Sequence, residues 1–208
     1  MNAFSRRALL RTTISAAALL CAAVPAMAAP AIGQAAPAFT AVDSKGKQHT
    51  LADFKGKVVV LEWTNHDCPY VKKHYQANMQ DLQRQAQQAG VVWLSVISSA
   101  PGEQGHVDGK QADELTASRN AAPTAVLLDP QGTIGKAYDA RTTPHMYVID
   151  AKGVLRYAGG IDSIASAKVE DLEKASPLFK TAMQAVVKGE NVAQAVTRPY
   201  GCNVKYKS

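Results

Sequence analysis

Between Pro37 and Lys188 the chain alternates short apolar runs with stretches of helical periodicity, punctuated by glycines. Phe39-Thr40-Ala41-Val42 reads as a short strand, Asp43–Lys47 as a hairpin turn and Gln48-His49-Thr50 as the returning strand. Leu51, Phe54 and Gly56 suit a short turn that feeds residues 57–63. There, Val58 to Leu61 is apolar without alternation, the mark of a strand covered on both faces. After a polar turn, Val71, Tyr75, Met79, Leu82 and Ala86 recur at spacings of three and four, which predicts one helix that stops at Gly90. Val91–Ile97 is a second nearly continuous apolar strand. Two such strands joined by a helix form a βαβ unit with a parallel sheet.

The remaining pattern extends this α/β plan. Residues 98–110 form a polar loop at the carboxyl end of the second strand, either a ligand-binding edge or a plain surface loop. A helix is expected over 111–119, a third strand over Thr124–Leu128 and a short helix over 132–138. His145–Asp150 and Val154–Ala158 flank the turn Ala151-Lys152-Gly153, so an antiparallel hairpin is expected. Ser176-Pro177 reads as a helix start, and Gly189 ends that helix after Lys188.

The first 28 residues read as a leader, outside the fold. Arg6, Arg7 and Arg11 form a basic head, residues 12–25 an apolar stretch, and Ala26-Met27-Ala28 a cleavage site. Ser5-Arg6-Arg7 is also compatible with a twin-arginine signal. Leu20 before Cys21 is too large for a lipoprotein site, and no later segment is apolar enough for a membrane anchor. A periplasmic or secreted protein is expected, with 29–36 as linker, 37–190 as the domain and 191–208 as tail. Removing the leader takes three arginines and no acid, so the net charge drops from +6 to +3. No basic run with interleaved aromatics occurs, which argues against a nucleic-acid partner.

The leader also removes Cys21 and leaves Cys68 and Cys202, able to pair in an oxidising compartment. Cys68 follows a strand and turn and precedes Pro69, a first-turn residue of a helix. The partial positive charge of a helix N-terminus favours thiolate over thiol, so Cys68 is the candidate nucleophile. Asp67 opposes that shift and Lys72 supports it.

These features together resemble the thioredoxin superfamily in its redoxin (AhpC/TSA-like) branch. The resemblance spans about residues 35–190. It rests on Lys55-Gly56-Lys57 before an apolar strand, on Cys68-Pro69-Tyr70-Val71 opening a helix, and on Thr143-Pro144 before Met146–Asp150. It extends to a peroxiredoxin-like group that shares the stretch from Cys68 to Tyr75 and the terminal Pro199-Tyr200-Gly201-Cys202. The resemblance implies a thioredoxin fold, a mixed central sheet flanked by helices. It implies a cis-proline at Pro144 packed on the reactive cysteine, with Thr143 beside it. Glu62, six residues before Cys68, matches the family's buried acid, or is a strand-end carboxylate that reaches water. Trp63 and Tyr70 are an apolar wall for substrate or ordinary packing.

Two departures narrow the chemistry. Val71 replaces the second cysteine of the family's CxxC pair, so no disulfide forms within that motif. Asn65 and Leu61 stand where peroxiredoxins carry threonine and proline, and Pro144 where they carry arginine, with Arg141 a nearby substitute. Cys202 is then a resolving thiol or half of a structural disulfide. The disulfide would close a loop of 135 residues, worth about 4–5 kcal/mol. The expected function is an exported thiol-disulfide oxidoreductase using Cys68, with Cys202 as partner and Glu62 assisting. Its partners are a thiol or disulfide protein or a small thiol, and no cofactor is implied. A Cys68 peroxidase passing through sulfenic acid is the alternative. The third reading is a binding module for metal, haem or peptide. A metal would use His66, Cys68 and His145, although no recognised ligand spacing is present. His74 and His106 read as helix-surface and loop residues.

Overall fold

A computed structural model of the chain describes residues 30–207, so the leader expectation lies outside the described residues. Among those residues, seven strands form one mixed sheet in the order β2-β1-β5-β4-β3-β7-β8. The strands are β1 (Thr40–Asp43), β2 (Gln48–Thr50), β3 (Val59–Trp63), β4 (Val92–Ile97), β5 (Ala125–Leu128), β7 (His145–Ile149) and β8 (Leu155–Gly159). The βαβ expectation holds: β3 and β4 run parallel, with Val60 opposite Trp93 and Glu62 opposite Ser95. β5 continues parallel beside β4, while β7 joins β3 antiparallel and places His145 opposite Trp63. The two predicted hairpins, β1–β2 and β7–β8, are both present.

The helices cover both faces. Val60, Trp93 and Val148 face α1 (Pro69–Tyr75), α2 (Met79–Gln88) and α5 (Leu178–Val187). Val59, Leu61, Trp63 and Leu94 face the other way, toward α4 (Thr133–Ala137) and the N-terminal segment. α3 (Gly109–Ser118) covers β5 through Ala112 and Val126. Successive residues of β3 and β4 therefore point into two separate cores, which is why neither strand shows polar alternation. Residues 30–36, expected as linker, lie along the β7–β8 hairpin, with hydrogen bonds from Ala36 N to Gly153 O and from Leu155 N to Gln34 O.

Two expectations need correction. The single helix over 69–89 is two helices, broken at 76–78. At the break the Asn78 side chain meets His74 Nδ1 at 2.9 Å and Gln80 Nε2 donates to the Tyr75 carbonyl at 2.6 Å. Side chains thus take over backbone partners. The core stripe survives, since Val71, Tyr75, Met79, Leu82 and Ala86 are all buried. The helix expected from 111 begins at Gly109, because Asp108 caps it and exchanges hydrogen bonds with Gln111 in a capping box.

A ninth strand, β9 (Cys202–Asn203), pairs antiparallel with β6 (Thr142–Thr143) outside the main sheet. Around it the tail runs along the carboxyl edge of the parallel strands. Val204 N donates to Arg141 O, Ala100 N to Lys205 O, and Tyr206 Oη to Ala140 O. The 98–110 loop is held beneath it: Ser98 Oγ accepts from Trp63 Nε1 and donates to Asp129, and Asn65 Nδ2 donates to Gln104 O.

Leu94 is fully buried at the centre of the sheet. Leu94→Ala is expected to lower the unfolding free energy by about 2–5 kcal/mol, measured by chemical denaturation.

Candidate active site

Cys68 sits at the N-cap of α1, with Pro69 in the first helical position, as the strand–turn–helix pattern predicts. The sulfur has no exposed surface. Its thiol donates to the Thr143 carbonyl at 3.1 Å, across the cis Thr143–Pro144 peptide that the resemblance implies. Burial pushes the Cys68 pKa up, but the polar surroundings of the sulfur, the Cys202 thiol first and then the Val71 and Cys202 amides and Thr143, prevail and lower it. The Cys68 side chain closes no cap hydrogen bond to the helix. Asp67 and Lys72, the two opposing charges, meet each other at the surface at 4.0 Å.

Cys202 is brought to this point by the β6–β9 pair, in which it stands opposite Thr143. Both cysteines are free thiols. Gly201 has φ +128°, and a Cβ there would overlap the Thr143 carbonyl oxygen, so only glycine lets the tail come this close. The Cys202 thiol is pushed up to about 12, first by burial and then by its hydrogen bond to Cys68 and the charge that Cys68 carries. The two thiols are thus shifted in opposite directions, Cys68 downward and Cys202 upward.

Two residues before Cys202, Tyr200 is seated in a buried polar cluster that sequence reasoning missed. Its hydroxyl donates to Asp162 Oδ1 at 2.6 Å and receives Lys73 Nζ at 3.4 Å, with His74 Nε2 at 3.2 Å. Lys73 Nζ also donates to Asp162 Oδ2 at 3.2 Å and to the Ile164 carbonyl at 3.5 Å. The Lys73 and His74 side chains are 0% exposed, so His74 is a core residue and not the helix-surface residue expected from sequence. Its pKa is lowered, chiefly by burial. The helical stripe held a clue, since position 74 follows Val71 by three and adjoins Tyr75. No sequence feature marks Lys73 as buried.

The other expected site residues divide. Glu62 is fully buried and accepts from Tyr75 Oη (2.9 Å), Trp93 Nε1 (2.8 Å), Ser95 Oγ (2.9 Å) and Gln83 Nε2 (3.5 Å). It does not reach water as a strand-end carboxylate would. Burial raises its pKa against the hydrogen bonds of Trp93, Ser95 and Tyr75 and the charge of Arg119. Its hydrogen bonds do not include Cys68. Trp63 is not brought to the sulfur. It points into the opposite core, against Tyr138 and Tyr147 at 5.5 and 5.1 Å. Tyr70 packs edge-on against Tyr200 at 5.8 Å, so its ring holds the tail. Arg141 is bound to Asp139 at the surface. His145 hydrogen-bonds Tyr147 Oη through Nδ1, and the buried Nδ1 of His66 has no partner among the described residues. No group of three His, Cys, Asp or Glu side chains suited to a metal occurs among the described residues.

Residues 32–158 match the AhpC/TSA family. The chain belongs to the AhpC/TSA family. Its relatives include the thiol-disulfide oxidoreductase ResA of Geobacillus kaustophilus, 28% identical over 62% of this chain and 68% of that protein. The bcp protein of Coxiella burnetii, provisionally described as a peroxiredoxin, is 30% identical over 63% of this chain and 81% of its own. Among solved structures, an uncharacterised conserved protein of Geobacillus kaustophilus superposes with a TM-score of 0.71 at 22% identity, over 85% of this chain and 93% of that one. The AhpC/TSA protein is thus a thiol-disulfide oxidoreductase in the redoxin branch of the thioredoxin superfamily, as the sequence led us to expect.

Three outcomes follow from these thiols and from Glu62. The alkylation rate of Cys68, followed by peptide mass mapping, should reach half its maximum below pH 9.0, the ordinary thiol value. Cys202→Ala removes the proton donor and should move that midpoint upward. For Glu62, a raised folded pKa means that wild-type stability is complete below the unfolded value and falls as pH rises through the folded one. Relative to Glu62→Gln, wild type should therefore lose stability as pH rises above 4.5, as read from denaturation midpoints.

Proposed function

We propose that this AhpC/TSA protein acts by a two-cysteine exchange in which Cys68 is the nucleophile and Cys202 the resolving thiol. The docking of Cys202 opposite Thr143, whose carbonyl binds Cys68, carries the reading. The lowered pKa of Cys68 and the raised pKa of Cys202 support this order of attack. With the tail docked Cys68 has no exposed surface, so substrate reaches it when the Cys202 segment shifts. The Cys68 thiolate then attacks a substrate disulfide. One substrate sulfur bonds to Cys68, the disulfide breaks, and the other sulfur leaves with the electron pair and takes a proton.

That step removes the negative charge from Cys68. Two of the three influences raising the Cys202 pKa, the hydrogen bond and the charge of Cys68, disappear with it. Cys202 loses its proton and attacks Cys68, and the second substrate thiol departs. The substrate gains two electrons and two protons, and the protein holds a Cys68–Cys202 disulfide. The partner is a disulfide protein or small disulfide, and the reverse exchange oxidises thiols. Glu62 organises Tyr75, Trp93 and Ser95 beneath the site and acts through packing. Thr143 and cis-Pro144 frame the sulfur.

The basic head, the apolar stretch and Ala26-Met27-Ala28 support export to an oxidising compartment. No described helix is long and apolar enough to cross a membrane.

Treatment with oxidised glutathione, followed by mass mapping, tests the reading. Wild type should yield the Cys68–Cys202 disulfide, Cys202→Ser a stable glutathione adduct on Cys68, and Cys68→Ser neither. A wild-type protein in which the two cysteines never pair would overturn it. Rapid oxidation of Cys68 by peroxide, with little response to glutathione disulfide, would favour the peroxidase alternative.

A further inference from the structure

A fully buried lysine is costly, and it persists only where anions and hydrogen-bond acceptors replace its water. Lys73 has two such groups on the segment after β8, the Asp162 carboxylate at 3.2 Å and the Ile164 carbonyl at 3.5 Å. Its third contact is different in kind. The Tyr200 hydroxyl belongs to the tail, lies 3.4 Å from Lys73 Nζ and donates to Asp162 at 2.6 Å. The buried ion pair thus presents a fixed acceptor and a fixed donor to one side chain from the chain terminus.

The backbone converts that seat into a position for sulfur. Only Gly201 separates Tyr200 from Cys202, and it approaches the Thr143 carbonyl so closely that a Cβ would not fit. On the far side, Thr143 pairs with Cys202 and its carbonyl accepts from Cys68. Tyr70, two residues after Cys68, packs edge-on against the Tyr200 ring. α1 therefore carries the nucleophile at its start, the ring contact two residues on and the buried lysine three residues beyond that.

We infer that Tyr200, seated by the Lys73–Asp162 pair and His74, is a positioning residue that sets the effective concentration of the Cys202 thiol at Cys68. The inference rests on the two-cysteine reading and adds what governs its second step. When Tyr200 is seated, Cys202 covers Cys68 and is poised for the intramolecular attack. When it leaves, Cys68 is open to substrate. The same residue favours disulfide closure and opposes first access, so weakening the seat should move the two steps in opposite directions.

Tyr200→Phe removes the hydroxyl and keeps the ring against Tyr70, and Tyr200→Leu removes both. Each full-length protein is equilibrated in buffers of reduced and oxidised glutathione. Mass mapping then gives the ratio of Cys68–Cys202 disulfide to Cys68–glutathione adduct. Closure is balanced: Cys202 sulfur bonds to Cys68 sulfur, the bond to glutathione breaks, and glutathione leaves as the thiol. Losing a hydrogen bond to a charged group is expected to lower that ratio roughly tenfold in Tyr200→Phe, and further in Tyr200→Leu. In the reduced proteins, the limiting alkylation rate of Cys68 at high pH should rise in the same order. A ratio and a limiting rate that stay at wild-type levels in both variants overturn the positioning role and leave the two-cysteine reading intact. A wild-type protein that forms only the glutathione adduct overturns that reading and this role with it. A lower melting temperature with no change in the ratio is the mark of a purely structural tyrosine, and it too overturns the inference.

Discussion

The ammonium group of Lys73 has no exposed surface, and much of the site is arranged by what that requires. A cation removed from water has to be matched by charge and by oriented acceptors. Asp162 supplies the charge, Ile164 a carbonyl and Tyr200 a hydroxyl. The first two come from the segment after β8, the third from the tail. Meeting the needs of one buried cation therefore ties α1, the post-β8 segment and the C-terminus into one block. Buried ion pairs add little net stability, because desolvation offsets attraction. What such a pair contributes is a defined geometry, and here the geometry leads to Cys202.

The thiols depend on each other in a way that neither would show alone. Cys68 is buried, which on its own would make it an inert thiol of high pKa. Donors around the sulfur reverse that, and the Cys202 thiol is the first among them. Cys202 is raised to about 12 partly by the same contact. The same pair of sulfurs thus lowers one thiol pKa and raises the other. In proteins with a CxxC motif the second cysteine lies in the same helix. Val71 occupies that place here, and a cysteine from the far end of the chain reaches the site along an added strand pair.

The Glu62 site follows a different logic. Trp93, Ser95 and Tyr75 converge on one carboxylate from β4 and α1, and Gln83 adds a longer contact from α2. Four donors around one acceptor orient the helices against the sheet. The register that places Glu62 opposite Ser95 makes this possible. Trp63, its neighbour in sequence, points into the other core because successive strand residues face opposite ways.

The sequence alone determined the strand and helix plan, the N-cap position of Cys68, the hairpins and the family. Each of these is local: an apolar run, a spacing of three and four, a proline after a cysteine, a glycine at a turn. It misplaced His74 at the surface, joined α1 and α2 into one helix, and left Trp63 open as a substrate wall. Those errors have a common cause, since burial and face depend on which element packs opposite. The polar cluster of Lys73, Asp162 and Tyr200 unites residues far apart in the chain, and no short-range pattern announces it. Tertiary structure alone decided that the tail returns as β9 and that Gly201 admits it to Thr143. It also decided that a lysine in the middle of α1 helps determine where the second sulfur lies.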